Sequence, residues 1–244
     1  MGVTSITLDN PPANSYDVDV MRAFAADVDA AIDSGARVVV VRSANEKFFS
    51  AGADVKKFLD GDVETNMEMI RTSQAAFRRM AAADQVFVAC IAGHALGGGL
   101  EIALACDIRI AAPGGYKRGT PEVTLGLLPG NGGTQRLTRL LGPSRAMELL
   151  LTGRTFGPDE ALRWGLVSAL MDEDALRAYA ERLASGPALA IAAIKRCVHG
   201  GGQLPLDEGL ALEAQLVERL FRSQDATEGL TAFVEKREPE FVGA

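Results

Sequence analysis

Apolar residues along the first part of the chain fall into runs that alternate between two periods. Val3 to Leu8 alternates weakly, as a strand does, and Asn10-Pro11-Pro12 closes it. Residues 15–32 carry Val18, Met21, Phe24, Val28 and Ile32 at helical spacing. Val38-Val39-Val40-Val41 is an unbroken β-branched run, the pattern of a strand covered on both faces. Residues 66–80 again read as helix, with Met67, Ile70, Phe77 and Met80 near one face. Val86 to Ile91 predicts a second buried strand, 100–106 a helix and Ile108 to Ala111 a short strand. This β-α-β-α-β-α-β order predicts an α/β fold. From Gly133 onward the pattern is helical: 135–141, 144–151, 158–164, 172–183, 187–198, 206–221 and 226–235, with 166–170 the one candidate strand. No internal repeat and no low-complexity linker stands out. The expectation is a single functional domain, with an α/β core over 1–190 and a helical C-terminal region over 191–244.

Composition narrows the function. Hydrophobic residues make up 48% and charged residues 23% of the 244, so the chain can bury a core. The net charge of −7 argues against a general nucleic-acid or membrane-surface binder, both of which need a cationic face. Three cysteines without a CxxC, two distant histidines and no HExxH argue against a disulfide framework and a zinc site. No basic residue precedes Arg22, and no apolar run is long enough to span a bilayer, so a cytoplasmic protein is expected.

The 26 glycines direct attention to one stretch. Val86 to Ile91 leads into Gly93-His94-Ala95-Leu96-Gly97-Gly98-Gly99, and a helix follows at once. Glycines admit a ligand close to the backbone, and the free N–H groups of a helix start favour a phosphate or a developing oxyanion. No Lys follows, so a Walker loop fails; Ile102 stands where the dinucleotide fingerprint needs its last glycine. A plain glycine-rich turn fits the stretch equally well. Glu101 sits in the first turn of that helix among Leu100, Ile102, Ala103 and Leu104, where an unpartnered carboxylate is tuned by its surroundings. A simple dipole-stabilised glutamate is the alternative. Glu122, after the rigid Pro121, is the second candidate, although loop carboxylates are usually just solvated. Two carboxylates beside an amide-lined hole suit general acid–base chemistry next to a carbonyl. Phe49-Ser50-Ala51-Gly52-Ala53-Asp54-Val55-Lys56-Lys57 again exposes backbone, and its two lysines either meet an anion or begin an ordinary solvated helix. Ser50 lies outside any Gly-x-Ser-x-Gly elbow.

Taken together, the strings Phe49–Asp54, Gly93–Glu101, Thr120-Pro121-Glu122 and Pro129-Gly130-Asn131-Gly132-Gly133-Thr134-Gln135-Arg136-Leu137 resemble the crotonase superfamily, that is, the enoyl-CoA hydratases and isomerases. Leu151-Thr152-Gly153-Arg154, Gly165-Leu166-Val167 and Ala232-Phe233-Val234-Glu235-Lys236-Arg237 extend the resemblance in order along nearly the whole chain. It implies a ClpP-like spiral of ββα units with a helical C-terminal trimerisation region, assembled as a homotrimer or as a hexamer of paired trimers. The activity implied is hydration of a 2-enoyl-CoA thioester. Coenzyme A is then part of the substrate, with no separate cofactor, no metal, no nucleic acid and no membrane partner. Glu101 and Glu122 match the catalytic glutamates, and the amides of Ala53 and Gly98 match the oxyanion hole. Ala51, Asp54, Val55 and Lys56 match the segment that holds coenzyme A, and Lys236 a lysine that reaches its phosphates. A Δ3,Δ2-enoyl-CoA isomerase is the rival within the superfamily; a non-catalytic thioester or RNA binder is the rival outside it. Arg118 departs from the pattern, standing where many members carry an aromatic residue. It is expected to alter either the wall of the site or an interface.

Overall fold

A computed structural model describes residues 2–244. The chain opens with β1 (Val3–Leu8), β2 (Ser15–Tyr16) and α1 (Val18–Asp33). It continues through β3 (Val38–Ser43), β4 (Phe48–Ser50), β5 (Gly52–Ala53), α2 (Val55–Asp60) and α3 (Val63–Ala82). Then come β6 (Val86–Ile91), β7 (His94–Leu96), α4 (Gly98–Ala105), β8 (Ile108–Ala111), β9 (Arg118–Gly119) and a 3-10 turn over Pro121–Leu125. The remainder is α5 (Gly133–Leu141), α6 (Pro143–Thr152), α7 (Pro158–Arg163), β10 (Ala169–Leu170), α8 (Glu173–Ala184), α9 (Ala188–His199), α10 (Leu206–Leu220) and α11 (Gln224–Glu235). Among the described residues no helix is long and apolar enough to cross a membrane.

Five parallel strands form the main sheet in the order β1-β3-β6-β8-β10. Parallel neighbours need crossover connections, and here each crossover carries a second strand as well as a helix. Those second strands build a smaller parallel sheet, β4-β7-β9, while β2 pairs with β5. The chain therefore winds as a spiral of strand-strand-helix units. The repetition lies in the path and not in recurring residues. The second-layer strands are two or three residues long, too short to show an alternating pattern.

Local chemistry moves several expected boundaries. The helix read over 15–32 starts only at Val18, because the Asp17 carboxylate accepts from the amides of Asp19 and Val20 and leaves Ser15 and Tyr16 free to pair as β2. The helix read over 100–106 already begins at Gly98. Of the strand considered over 166–170, only Ala169 and Leu170 pair with β8.

The main core lies between the sheet and the helices α1, α3 and α4. Met21, Phe24 and Val28 of α1 are buried with Phe77 and Met80 of α3, and the Phe24 and Phe77 rings meet edge to face at 6.2 Å. Each such buried side chain contributes roughly 1.5–3 kcal/mol. Residue 191, the expected start of the C-terminal region, falls inside α9, which is tied to the core. Lys195 Nζ pairs with Asp107 at 2.9 Å and donates to the carbonyls of Met80 and Gln85 at 2.7 and 2.6 Å. His199 Nε2 lies 2.7 Å from the other Asp107 oxygen, and the Phe87 amide donates to Asp107 at 2.7 Å.

Candidate active site

The site forms where β7 runs into α4. Gly97 turns the chain with φ +54, a conformation that disfavours any side chain. Gly98 follows as the first helical residue, and a Cβ there would stand 1.5 Å from the Tyr16 hydroxyl. Every residue of α4 is buried, as expected of a helix that is apolar nearly all round. Its leading amides have no acceptor within the helix. A Cβ on Gly52 would lie 3.1 Å from the Gly98 nitrogen, so β5 presses against this helix start. The segments holding Ala53 and Gly98 are thereby brought together.

Glu101 is 1% exposed. Its Oε1 accepts from the amide of Asn131 at 2.8 Å and from that of Gly133 at 2.6 Å. Burial pushes its pKa up to about 7, against the two amide bonds that favour the carboxylate; the nearby Glu122 adds to the rise. Glu122 sits in the 3-10 turn and not in an open loop, with Pro121 setting the first turn residue. Its Oε2 is buried without a partner, and burial raises its pKa too. Arg136, from α5, braces the loop before it by donating to the Asn131 carbonyl at 2.8 Å.

Both carboxylates face one cavity of about 460 Å³. Ala53, Gly97 and Gly98 line it on one side; Phe58, Val63, Met67, Ile70, Leu125 and Leu128 make much of the rest. A mostly apolar cleft with a few convergent polar groups is the form expected of a small-molecule site. Among the described residues no cluster of three His, Cys, Asp or Glu side chains is arranged to hold a metal.

The family model for enoyl-CoA hydratase/isomerase matches residues 1–244. The chain belongs to the enoyl-CoA hydratase/isomerase family. It is 40% identical to a probable enoyl-CoA hydratase of Mycobacterium tuberculosis, over 97% of this chain and 93% of that one. It is 36% identical to the 2,3-dehydroadipyl-CoA hydratase of Escherichia coli, over 99% and 95%. The crystal structure of an enoyl-CoA hydratase from Geobacillus kaustophilus superposes with a TM-score of 0.96 at 41% identity, covering 100% of this chain and 94% of that one. The crotonase fold expected from the resemblance is the fold of this family member.

Of the residues singled out from the sequence, Glu101, Glu122, Ala51, Ala53, Val55 and Gly98 all line the cavity. Asp54 and Lys56 do not. The Asp54 carboxylate caps α2, accepting from the amides of Lys56 and Lys57 at 2.9 and 3.3 Å, and Lys56 is exposed on the first turn. Lys236 is exposed, away from the cavity lining of its own chain, and ends α11 with φ +58. Arg118 is fully buried and lies outside the cavity wall. It donates to the carbonyls of Tyr116 and Ile91 at 3.0 and 3.2 Å and so ties β9 to the main sheet. Burial without a carboxylate lowers its pKa to about 10. Two residues of the site carried no assignment from the sequence: Tyr16, hidden ahead of the Asp17 cap, and the side chain of Asn131. The one signal for the latter is a polar residue set among the glycines of Pro129-Gly130-Asn131-Gly132-Gly133.

Proposed function

We propose that this protein is an enoyl-CoA hydratase, adding water across the 2,3 double bond of a 2-enoyl-CoA thioester. The observation that carries this reading is the pair of carboxylates, buried Glu101 and half-buried Glu122, facing one apolar cavity at the N-terminus of α4. The thioester oxygen accepts from the amides of Gly98 and Ala53. These bonds strengthen as the oxygen gains enolate charge, which lowers the barrier selectively. Glu101, poised near neutrality, takes a proton from the water whose oxygen attacks C3. Glu122, held toward its protonated form by burial, gives a proton to C2. One proton is taken and one given, and the glutamates exchange their loads through the product and solvent. The chemistry calls for no metal and no redox cofactor.

Ala51 and Val55 in the cavity wall, with Asp54 and Lys56 beside them outside it, are proposed to follow the coenzyme A moiety, with Lys236 at its phosphates. An exposed apolar surface on the C-terminal helices, with Leu206 76% and Phe233 84% accessible, supports assembly of this chain as a homotrimer or a hexamer. The relatives carry different acyl names at similar identity, a 2,3-dehydroadipyl-CoA hydratase at 36% and a crotonyl-CoA hydratase at 38%, so a panel of enoyl-CoA esters defines the acyl group. The test is loss of the conjugated thioester absorbance of crotonyl-CoA, with Glu101→Ala and Glu122→Ala in parallel. Rapid loss in the native protein, abolished in both variants, supports the hydratase. Tight thioester binding without hydration, accompanied by migration of a 3-enoyl double bond, would replace this reading with an isomerase.

A further inference from the structure

The glutamates do not use all the polar groups of the site. Asn131 Nδ2 donates to the Tyr16 hydroxyl at 3.0 Å, and both side chains are buried. Turning the amide over exchanges donor and acceptor but keeps the bond. Tyr16 stands at a junction. Its backbone pairs in register with Ala53, and its carbonyl accepts from the Asp54 amide at 2.8 Å. Its hydroxyl fills the space beside Gly98. Asn131 is bound to the base, since its own amide donates to Glu101. The Asn131 Oδ1 is buried with no partner, so the contact to Tyr16 is the one hydrogen bond holding that side chain among the described residues.

We propose that Tyr16 is a positioning residue, which through Asn131 sets the Glu101 carboxylate relative to the two amides of the oxyanion hole. The inference rests on the hydratase reading for what those amides do. Its physical basis is that this bond joins β2, which pairs with the strand carrying Ala53 and packs against Gly98, to the loop whose amides grip Glu101. Acid–base catalysis depends steeply on such alignment, where a displacement of about 1 Å costs on the order of 10²-fold in rate.

Tyr16→Phe keeps the ring against Gly98 and removes only this bond. The loop then loosens its two amides on Glu101. Those amides favour the charged form, so Glu101 protonates at higher pH in the variant. The charged groups facing Glu101 are Glu122 from the 3-10 turn and Arg136 from α5, and both are unchanged. The expected result is a fall in kcat of roughly 10–100-fold with KM within about twofold. The ¹³C-carboxyl NMR titration of Glu101 in the unliganded protein, assigned with Glu101→Gln, moves upward in pH. Asn131→Ala reproduces both effects, and the double variant is no worse than either single change, as expected of two groups acting through one bond. Native kcat in Tyr16→Phe, or a lowered kcat with an unmoved titration, overturns the proposal. Because the titration needs no substrate, a native protein that hydrates no enoyl-CoA would defeat the hydratase reading while the titration still judged this one.

Discussion

Replacing Glu101 with glutamine tests the electrostatics of the site through stability instead of rate. The amide side chain keeps an oxygen able to accept from Asn131 and Gly133, now at 2.8 and 2.6 Å, so the loop stays gripped. What changes is the charge buried in α4. A carboxyl group whose pKa is higher in the folded than in the unfolded chain weakens the fold as it ionises. Below about pH 4.5 both states hold the proton, and the native protein and Glu101→Gln differ little. As the pH rises from 4.5 toward 7 the unfolded chain releases its proton first, and native stability falls. Above about pH 7 the loss is complete. At about 1.36 kcal/mol per pH unit the rise from 4.5 to about 7 amounts to about 3 kcal/mol. Glu101→Gln is therefore expected to be about 3 kcal/mol more stable than the native protein at pH 8. At pH 5 the gain falls below about 1 kcal/mol. In a chain of this length the pH 8 gain corresponds to roughly 6–12 °C in Tm. Urea denaturation at pH 5 and pH 8 reads the difference, and hydration of crotonyl-CoA read alongside should be lost. A variant no more stable than native at pH 8, or equally stabilised at both pH values, would refute a desolvated Glu101.

Further expectations concern the same site and its supports. The acid limb of kcat/KM should have its midpoint near pH 7, since protonation of Glu101 removes the base; a limb near pH 4.5 would contradict this. Glu122→Gln should lower kcat by on the order of 10²–10⁴ while thioester binding, followed by calorimetry, is kept. Gly98→Ala places a methyl group 1.5 Å from the Tyr16 hydroxyl, so it should cost roughly 1–3 kcal/mol in denaturant unfolding as well as activity. Lys195→Met leaves Asp107 buried with the His199 ring as its remaining side-chain partner and should destabilise the protein by about 3–5 kcal/mol, measured by urea midpoint.

Periodicity made the long elements readable because each buries a full face or stripe: Val38–Ser43, Val86–Ile91, α1 and α3 all announce themselves by spacing. The two smaller sheets were hidden because strands such as Gly52–Ala53 and Arg118–Gly119 span only two residues and are placed by backbone pairing with distant partners. Glu101 and Glu122 stood out because carboxylates are unusual beside apolar runs and glycine-rich turns. Asp54 supports two readings for a local reason: the same short carboxylate that suits a ligand-binding segment is also a good helix cap, and it caps α2. Tyr16 and Asn131 were unreadable because their meeting depends on contact across 115 positions, which no local pattern reports.

Asp107 has a consequence for how the chain is made. Its partners, Lys195 and His199, arrive late, the histidine 92 positions downstream. On a ribosome the strands β6 and β8 emerge first, and Asp107 between them is without Lys195 and His199 until α9 has left the exit tunnel. The nascent sheet therefore closes its last gap only when synthesis is nearly finished. A chain stalled before residue 195 would present that open corner, with Phe87 and Cys106 beside it, to the cell's quality-control machinery.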